Sequence, residues 1–167
     1  IHKQIGLADT VYYYQVPCPT CSSYQQLNYG NIVLPEGYTD PAIIRESRPC
    51  TYACNECGVM IHDRDKDTML MRGVWAPADA VIDKSGNYEK EPYKDRVAFQ
   101  SNCLLSPWLT FSDIKAQSLE SKGDIGRTMN WVNSWLGETF VELGSDLDDK
   151  VLARKQGTYE RGVVPYD

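Results

Sequence analysis

The sequence predicts an α+β protein in which two β hairpins, each closed by a cysteine pair, precede a mostly helical C-terminal segment. Three observations predict it. Cys18-Pro-Thr-Cys21 and Cys54-Asn-Glu-Cys57 share the same two-residue spacing. β-branched and aromatic residues flank both pairs. The last third carries helix-cap signals and an apolar period of helical length.

Two thiols separated by two residues in a tight turn can face one ion. Two such turns supply four thiolates, the tetrahedral set that a structural zinc prefers. The hairpins are therefore expected to be zinc-ribbon-like, with Cys18, Cys21, Cys54 and Cys57 as metal ligands. Gly58 follows the second pair, where a knuckle turn passes through positive φ. The stretch from Ser22 to Ala53 exceeds the usual span of about 15–20 residues, so each knuckle is expected on its own hairpin with an insertion between. Cys50 and His62 lie close enough in sequence to replace a ligand, and iron fits the same four sulfurs. Six cysteines would also suit a disulfide framework in a secreted domain, but no signal-peptide pattern is visible. A redox C-x-x-C normally opens a helix and stands alone. Cys103, in Phe99-Gln-Ser-Asn-Cys-Leu-Leu, reads as a buried thiol.

In chain order, Val11–Val16 reads as a strand leading into the first knuckle. Tyr24–Leu34 reads as a second strand, with a turn or bulge at Asn28-Tyr-Gly30, and Pro35-Glu-Gly37 breaks it. Pro41–Arg48 suits a short helix. Thr51–Ala53 and Val59–Ile61 flank the second knuckle as a hairpin. Asp63–Arg72 opens with acids, then carries Met69, Leu70 and Met71, and stops at Gly73, which predicts a helix. Val74 and Trp75 are expected as a buried anchor. Ala78–Lys94 is polar and reads as a mobile surface loop or hairpin, and Arg96–Gln100 as a strand. Thr110 and Asp113 form a capping-box pattern for a helix over Ile114–Lys122, ended by Gly123. Asp124 opens a further helix with Ile125, Met129, Val132 and Leu136 on one face; Trp131 and Trp135 form an adjacent stripe and read as core packing. Gly137 suits its C-cap. Ser145–Lys150 reads as a solvated acidic helix start, and the tail after Gln156 as a linker.

The 167 residues suffice for one domain or two small ones, with 42% hydrophobic content. No apolar run approaches the ~20 residues that span a bilayer. The net charge of −6 lacks the basic excess of a free-standing nucleic-acid binder. No P-loop, G-x-S-x-G or H-E-x-x-H motif occurs, and neither His2 nor His62 sits in a catalytic frame. Four thiolates would fill a zinc ion's coordination sphere, so the chain reads as a structural or adaptor unit with no catalytic residue of its own. Asp146, Asp148 and Asp149 offer a rival nuclease reading, without a recognised calcium-loop spacing. The first residue, Ile1, suggests a piece of a longer protein.

Five segments in order carry a resemblance. They are Tyr-Gln-Val-Pro-Cys18-Pro-Thr-Cys21-Ser-Ser-Tyr-Gln; Tyr52-Ala-Cys54-Asn-Glu-Cys57-Gly58; Met69-Leu-Met-Arg-Gly73-Val-Trp75; Val97 through Phe111; and Trp131-Val-Asn133-Ser-Trp-Leu136-Gly137-Glu138-Thr. Together they resemble the large subunit of lambda-type tailed-phage terminases, from about Val11 to Pro165. The resemblance implies the region between an N-terminal ATPase and a C-terminal endonuclease. The parent would act with a terminase small subunit, a portal and viral double-stranded DNA in the cytoplasm of the bacterial host. The ATPase motifs would lie before Ile1 and the nuclease motif after Asp167, so only the four cysteines carry over as a site. The expected organisation is a zinc-ribbon-like metal-binding domain over 1–77, a polar loop over 78–94, a strand and helical segment over 95–144, and an acidic segment and linker over 145–167. The long 78–94 loop departs from the compact family pattern. An independent zinc-ribbon adaptor binding protein or nucleic acid is the competing class.

Overall fold

Strand β1 (Thr10–Pro17) organises the larger of two sheets in the computed structural model, which describes residues 6–89 and 95–141. Its run of β-branched and aromatic residues suits a pleated, half-buried surface. β6 (Val74–Pro77) pairs antiparallel along one side, with Tyr14 opposite Trp75. The other side is shared. β7 (Val97–Gln100) runs parallel to the first half of β1, and β2 (Tyr24–Gln26) pairs antiparallel with its last residues, Val16 opposite Gln25. The second sheet is small and antiparallel: β3 (Ile32–Val33), β4 (Thr51–Ala53) and β5 (Met60–Ile61), with Tyr52 opposite both Ile32 and Ile61.

The expected single strand over Tyr24–Leu34 is thus two strands in different sheets. A 3-10 turn at Tyr29–Asn31 separates them. The redirection is held by Tyr52, whose hydroxyl accepts from the Asn28 N–H at 3.1 Å and donates to the Gln26 carbonyl at 3.4 Å.

Four α-helices complete the described residues. α1 (Pro41–Ser47) starts on Asp40, whose carboxylate accepts from the Ala42 N–H, and has proline at its first position. α2 (Asp63–Met71) starts beside His62. α3 (Phe111–Ser121) carries the full capping box between Thr110 and Asp113 that the sequence predicts. α1 lies against α3, joined at the rim by Arg45 and Glu120. α4 (Ile125–Asn130) is capped by Asp124 and runs into a π-helical turn at Trp131–Trp135.

That turn changes which face is buried. Ile125 and Met129 are 62% and 48% exposed, whereas Trp131 is 6% exposed and packs edge-on against Tyr29. The wider turn rotates the chain relative to a 3.6-residue period, so the predicted stripe of Ile125, Met129, Val132 and Leu136 does not stay on one face. Gly137 ends the segment at φ +66, and a Cβ there would meet the Ser101 carbonyl at 2.4 Å. Trp75 also departs from expectation. It is 36% exposed, tilted against Tyr14 and edge-on to Phe99, on a strand that has β1 as its one partner among the described residues. Within the predicted mobile loop, residues 78–89 form a pinned turn: Asp83 accepts from the Ser85 and Asn87 N–H groups, and Tyr88 donates to the Trp75 carbonyl. The remainder of that loop and the Ser145–Lys150 acids lie outside the described residues.

One core joins both sheets to α3. Tyr52, Phe111, Ile44, Ile61, Leu104 and Ile114 are fully buried within it. Lys66 is 2% exposed and satisfies its ammonium on the Ser106 carbonyl at 2.8 Å and on the Leu109 carbonyl, tying α2 to the entry of α3. Burial lowers its pKa. Lys66→Met leaves both carbonyls without this donor and is expected to cost about 1.5–3 kcal/mol in urea denaturation. Burial pushes the Tyr52 hydroxyl up to about 12. The folded state therefore holds a proton that the unfolded state releases above about pH 10, so stability is lost as pH rises from there toward 12. Tyr52→Phe should abolish that part of the alkaline slope, at most about 1.4 kcal/mol per pH unit, while costing about 1 kcal/mol at neutral pH.

Candidate metal centre

The two cysteine pairs sit in two turns of the same construction on different sheets. In the first, between β1 and β2, the Cys18 N–H donates to the Ser23 carbonyl and the Ser22 N–H to the Cys18 carbonyl, at 2.9 and 3.0 Å. In the second, between β4 and β5, the Cys54 N–H donates to the Val59 carbonyl and the Gly58 N–H to the Cys54 carbonyl, at 3.0 and 3.1 Å. Each turn needs a left-handed residue after its second cysteine. Gly58 takes that place at φ 69, as its sequence position predicts, and Ser22 takes it at φ 61. The first turn thus tolerates a side chain where backbone sterics favour glycine.

The two turns bring all four sulfurs together. The Sγ atoms of Cys18, Cys21, Cys54 and Cys57 lie within 4.8 Å of one another. Cys18 to Cys57 and Cys21 to Cys54, the pairs across the two turns, are each 3.9 Å. Thiolates about 2.3 Å from a tetrahedral zinc have sulfur–sulfur edges of about 3.8 Å, so the donor set fits that ion. It does not fit disulfides, whose sulfurs are about 2.05 Å apart; all six cysteines are free thiols. Cys18 and Cys54 are buried, Cys21 is half-buried and Cys57 is exposed, so the cluster has an inner and an outer side.

The electrostatics of the thiols differ across the cluster. The Ser23 backbone N–H and side chain hold Cys21 low, at about 6, while burial pushes Cys18 up to about 12. Forming the Cys18 thiolate is therefore costly unless a neighbouring positive charge offsets its burial. Cys50 and His62 stand outside the cluster. The Cys50 N–H donates to the Ser112 hydroxyl at 3.0 Å, and burial raises its thiol pKa. His62 occupies the N-cap position of α2 without a side-chain capping bond. Cys103 is half-buried, and burial pushes it up to about 11. Asp146, Asp148 and Asp149 lie outside the described residues.

Residues 1–75 match the family model described as "Phage terminase large subunit gpA, ATPase domain", and residues 96–167 match "Terminase large subunit gpA, endonuclease domain". The chain is 28% identical over 161 residues to the terminase large subunit of Escherichia phage lambda, and 29% identical over 157 residues to that of Enterobacteria phage P21. Each alignment covers 90% of this chain and 24% of the relative. The chain belongs to the lambda-type terminase large-subunit family. It spans about a quarter of the length of these relatives. No solved structure matches it significantly.

The two family models match the two ends of this terminase segment, with residues 76–95 between them, and both cysteine pairs fall within the part matched by the ATPase-domain model. Sequence reasoning places the ATPase motifs before Ile1; the matched region nonetheless reaches to Trp75. Sequence reasoning also misses Gln25 and Asn31, which contact the second turn from the chain that follows the first. Each is a single polar residue in an irregular stretch, and no spacing distinguishes it.

The left-handed positions give a paired test. A Cβ at Gly58 meets nothing within 4 Å, so Gly58→Ala is expected to cost about 1–2 kcal/mol from backbone strain alone. Ser22→Gly should be neutral or stabilising by up to about 1 kcal/mol in the same denaturation experiment.

Proposed function

We propose that Cys18, Cys21, Cys54 and Cys57 hold a structural zinc in a zinc-ribbon-like arrangement, within the large subunit of a phage DNA-packaging terminase. The observation that carries this reading is the convergence of four sulfurs, from two turns of like construction, at tetrahedral spacing. Zinc, when bound, supplies a closed four-thiolate junction with no open coordination position for catalysis. The chain's own residues do the rest. The Ser23 backbone N–H and hydroxyl favour the Cys21 thiolate, and Gly58 and Ser22 supply the backbone turns that aim each pair inward.

In this reading the centre serves as a fixed corner between the parts of a motor. Its four cysteines fall within the ATPase-domain match, and residues 76–95 separate that match from the endonuclease-domain match. Residues 1–77 carry the metal, and β7 and α3 complete the sheet and core around it. The parent protein would cut and translocate viral double-stranded DNA in the bacterial host, together with a terminase small subunit and a portal. Contact with DNA by this segment would have to be local, given the net charge of −6.

Elemental analysis of protein purified without chelator should find one zinc per chain. Cys54→Ser should lose it and lower Tm by roughly 10 °C or more, as expected for loss of several kcal/mol. A metal-free wild-type protein that stays well folded, or an unchanged Tm after complete metal loss, would contradict this role.

A further inference from the structure

The two cysteine turns are not held in the same way. The backbone bonds that shape the first turn stay within residues 18–23. The second turn is also gripped from outside, at both residues flanking Cys54. Gln25 Oε1 accepts from the Asn55 N–H at 2.9 Å. Asn31 Nδ2 donates to the Ala53 carbonyl at 3.1 Å and to the Asn55 side-chain oxygen. Gln25 lies on β2 and Asn31 just before β3, so both belong to the chain leaving the first turn.

Gln25 is held in place at a cost. It is 4% exposed, and its Nε2 has no hydrogen-bond partner among the described residues. The amide cannot be reversed, because only its oxygen can accept from the Asn55 N–H. A buried donor without an acceptor costs about 1–3 kcal/mol, so a side chain needed only for packing would be better apolar here. The feature it provides is the acceptor aimed at the residue next to Cys54.

We propose that Gln25 and Asn31 are positioning residues that clamp Cys54 into the four-thiolate centre. The inference rests on the zinc reading above and goes beyond it. It states that metal affinity is set by a polar clamp from one turn onto the other as well as by the four sulfurs. The physical reason is the long intervening chain: two turns joined by a long segment lose entropy on meeting, and bonds that fix them beforehand reduce what metal binding must supply.

The test is a zinc competition titration against a chromophoric chelator, with the Co²⁺-substituted absorption spectrum as a second readout. Partners of metal ligands typically carry 10- to 100-fold of metal affinity. Gln25→Leu and Asn31→Ala are each expected to weaken zinc binding about 10-fold or more, and to perturb the Co²⁺–thiolate bands. Tyr29→Phe is the control. It removes a remote hydrogen bond, from the Tyr29 hydroxyl to Ser118, and should lower stability while leaving zinc affinity and the cobalt spectrum unchanged. Asn31 is only half-buried, so Asn31→Ala carries the test should Gln25→Leu fail to fold. Wild-type affinity and spectrum in the clamp variants overturn the proposal while leaving the zinc reading standing. A wild-type chain that binds no zinc overturns both.

Discussion

Four sulfurs from two different sheets meet within 4.8 Å, and much of the surrounding architecture follows from that constraint. Thiolates so close repel one another, and burial holds the Cys18 thiol above its ordinary pKa. To bring them together the chain must deliver two turns to one point. It does so by making β1–β2 and β4–β5 hairpins of like geometry and packing their sheets against a single core. Tyr52 links the two functions: its ring is in the core against Phe111, and its hydroxyl holds the bend between β2 and β3 that steers the chain from one sheet to the other.

The helices contribute to the same end from outside the cluster. α3 enters the core through Phe111 and Ile114, and its second residue, Ser112, accepts from the Cys50 N–H just before β4. Asp63 at the start of α2 accepts from the Phe111 N–H, and Lys66 holds the two carbonyls preceding α3. β4, which leads into Cys54, is thereby anchored at its beginning by α3, while Gln25 and Asn31 hold the residues on either side of Cys54. The arrangement resists displacement of the second turn from both ends. Such bracing from both ends is what the structural role proposed for the four cysteines requires.

An open apolar groove of about 670 Å³ lies elsewhere, between β1, β6, α2 and the segment around Leu105 and Pro107. None of the four clustered cysteines lines it, and its surface is apolar apart from a few groups such as Asp67 and Ser101. The groove and the thiols are therefore chemically separate features, one offering shape and apolar surface and the other a ligand set.

The sequence by itself determined the chemistry and much of the local structure. The paired C-x-x-C spacing selected the four residues that the structure brings together, because a two-residue gap nearly dictates a turn with both thiols on one side. Thr110 with Asp113, and Asp40 before Pro41, marked helix starts because capping is a contact between near neighbours. Tertiary structure alone decided the rest. It split Tyr24–Leu34 between two sheets through a hydroxyl supplied by distant Tyr52, set β7 parallel to β1, and wound the chain into a π turn that buries Trp131 in place of Ile125 and Met129. It also left Cys50 and His62 out of the cluster and placed Gln25 and Asn31 beside it. Each of these outcomes depends on a contact between residues far apart in the chain, and local spacing carries no record of which distant partner will arrive.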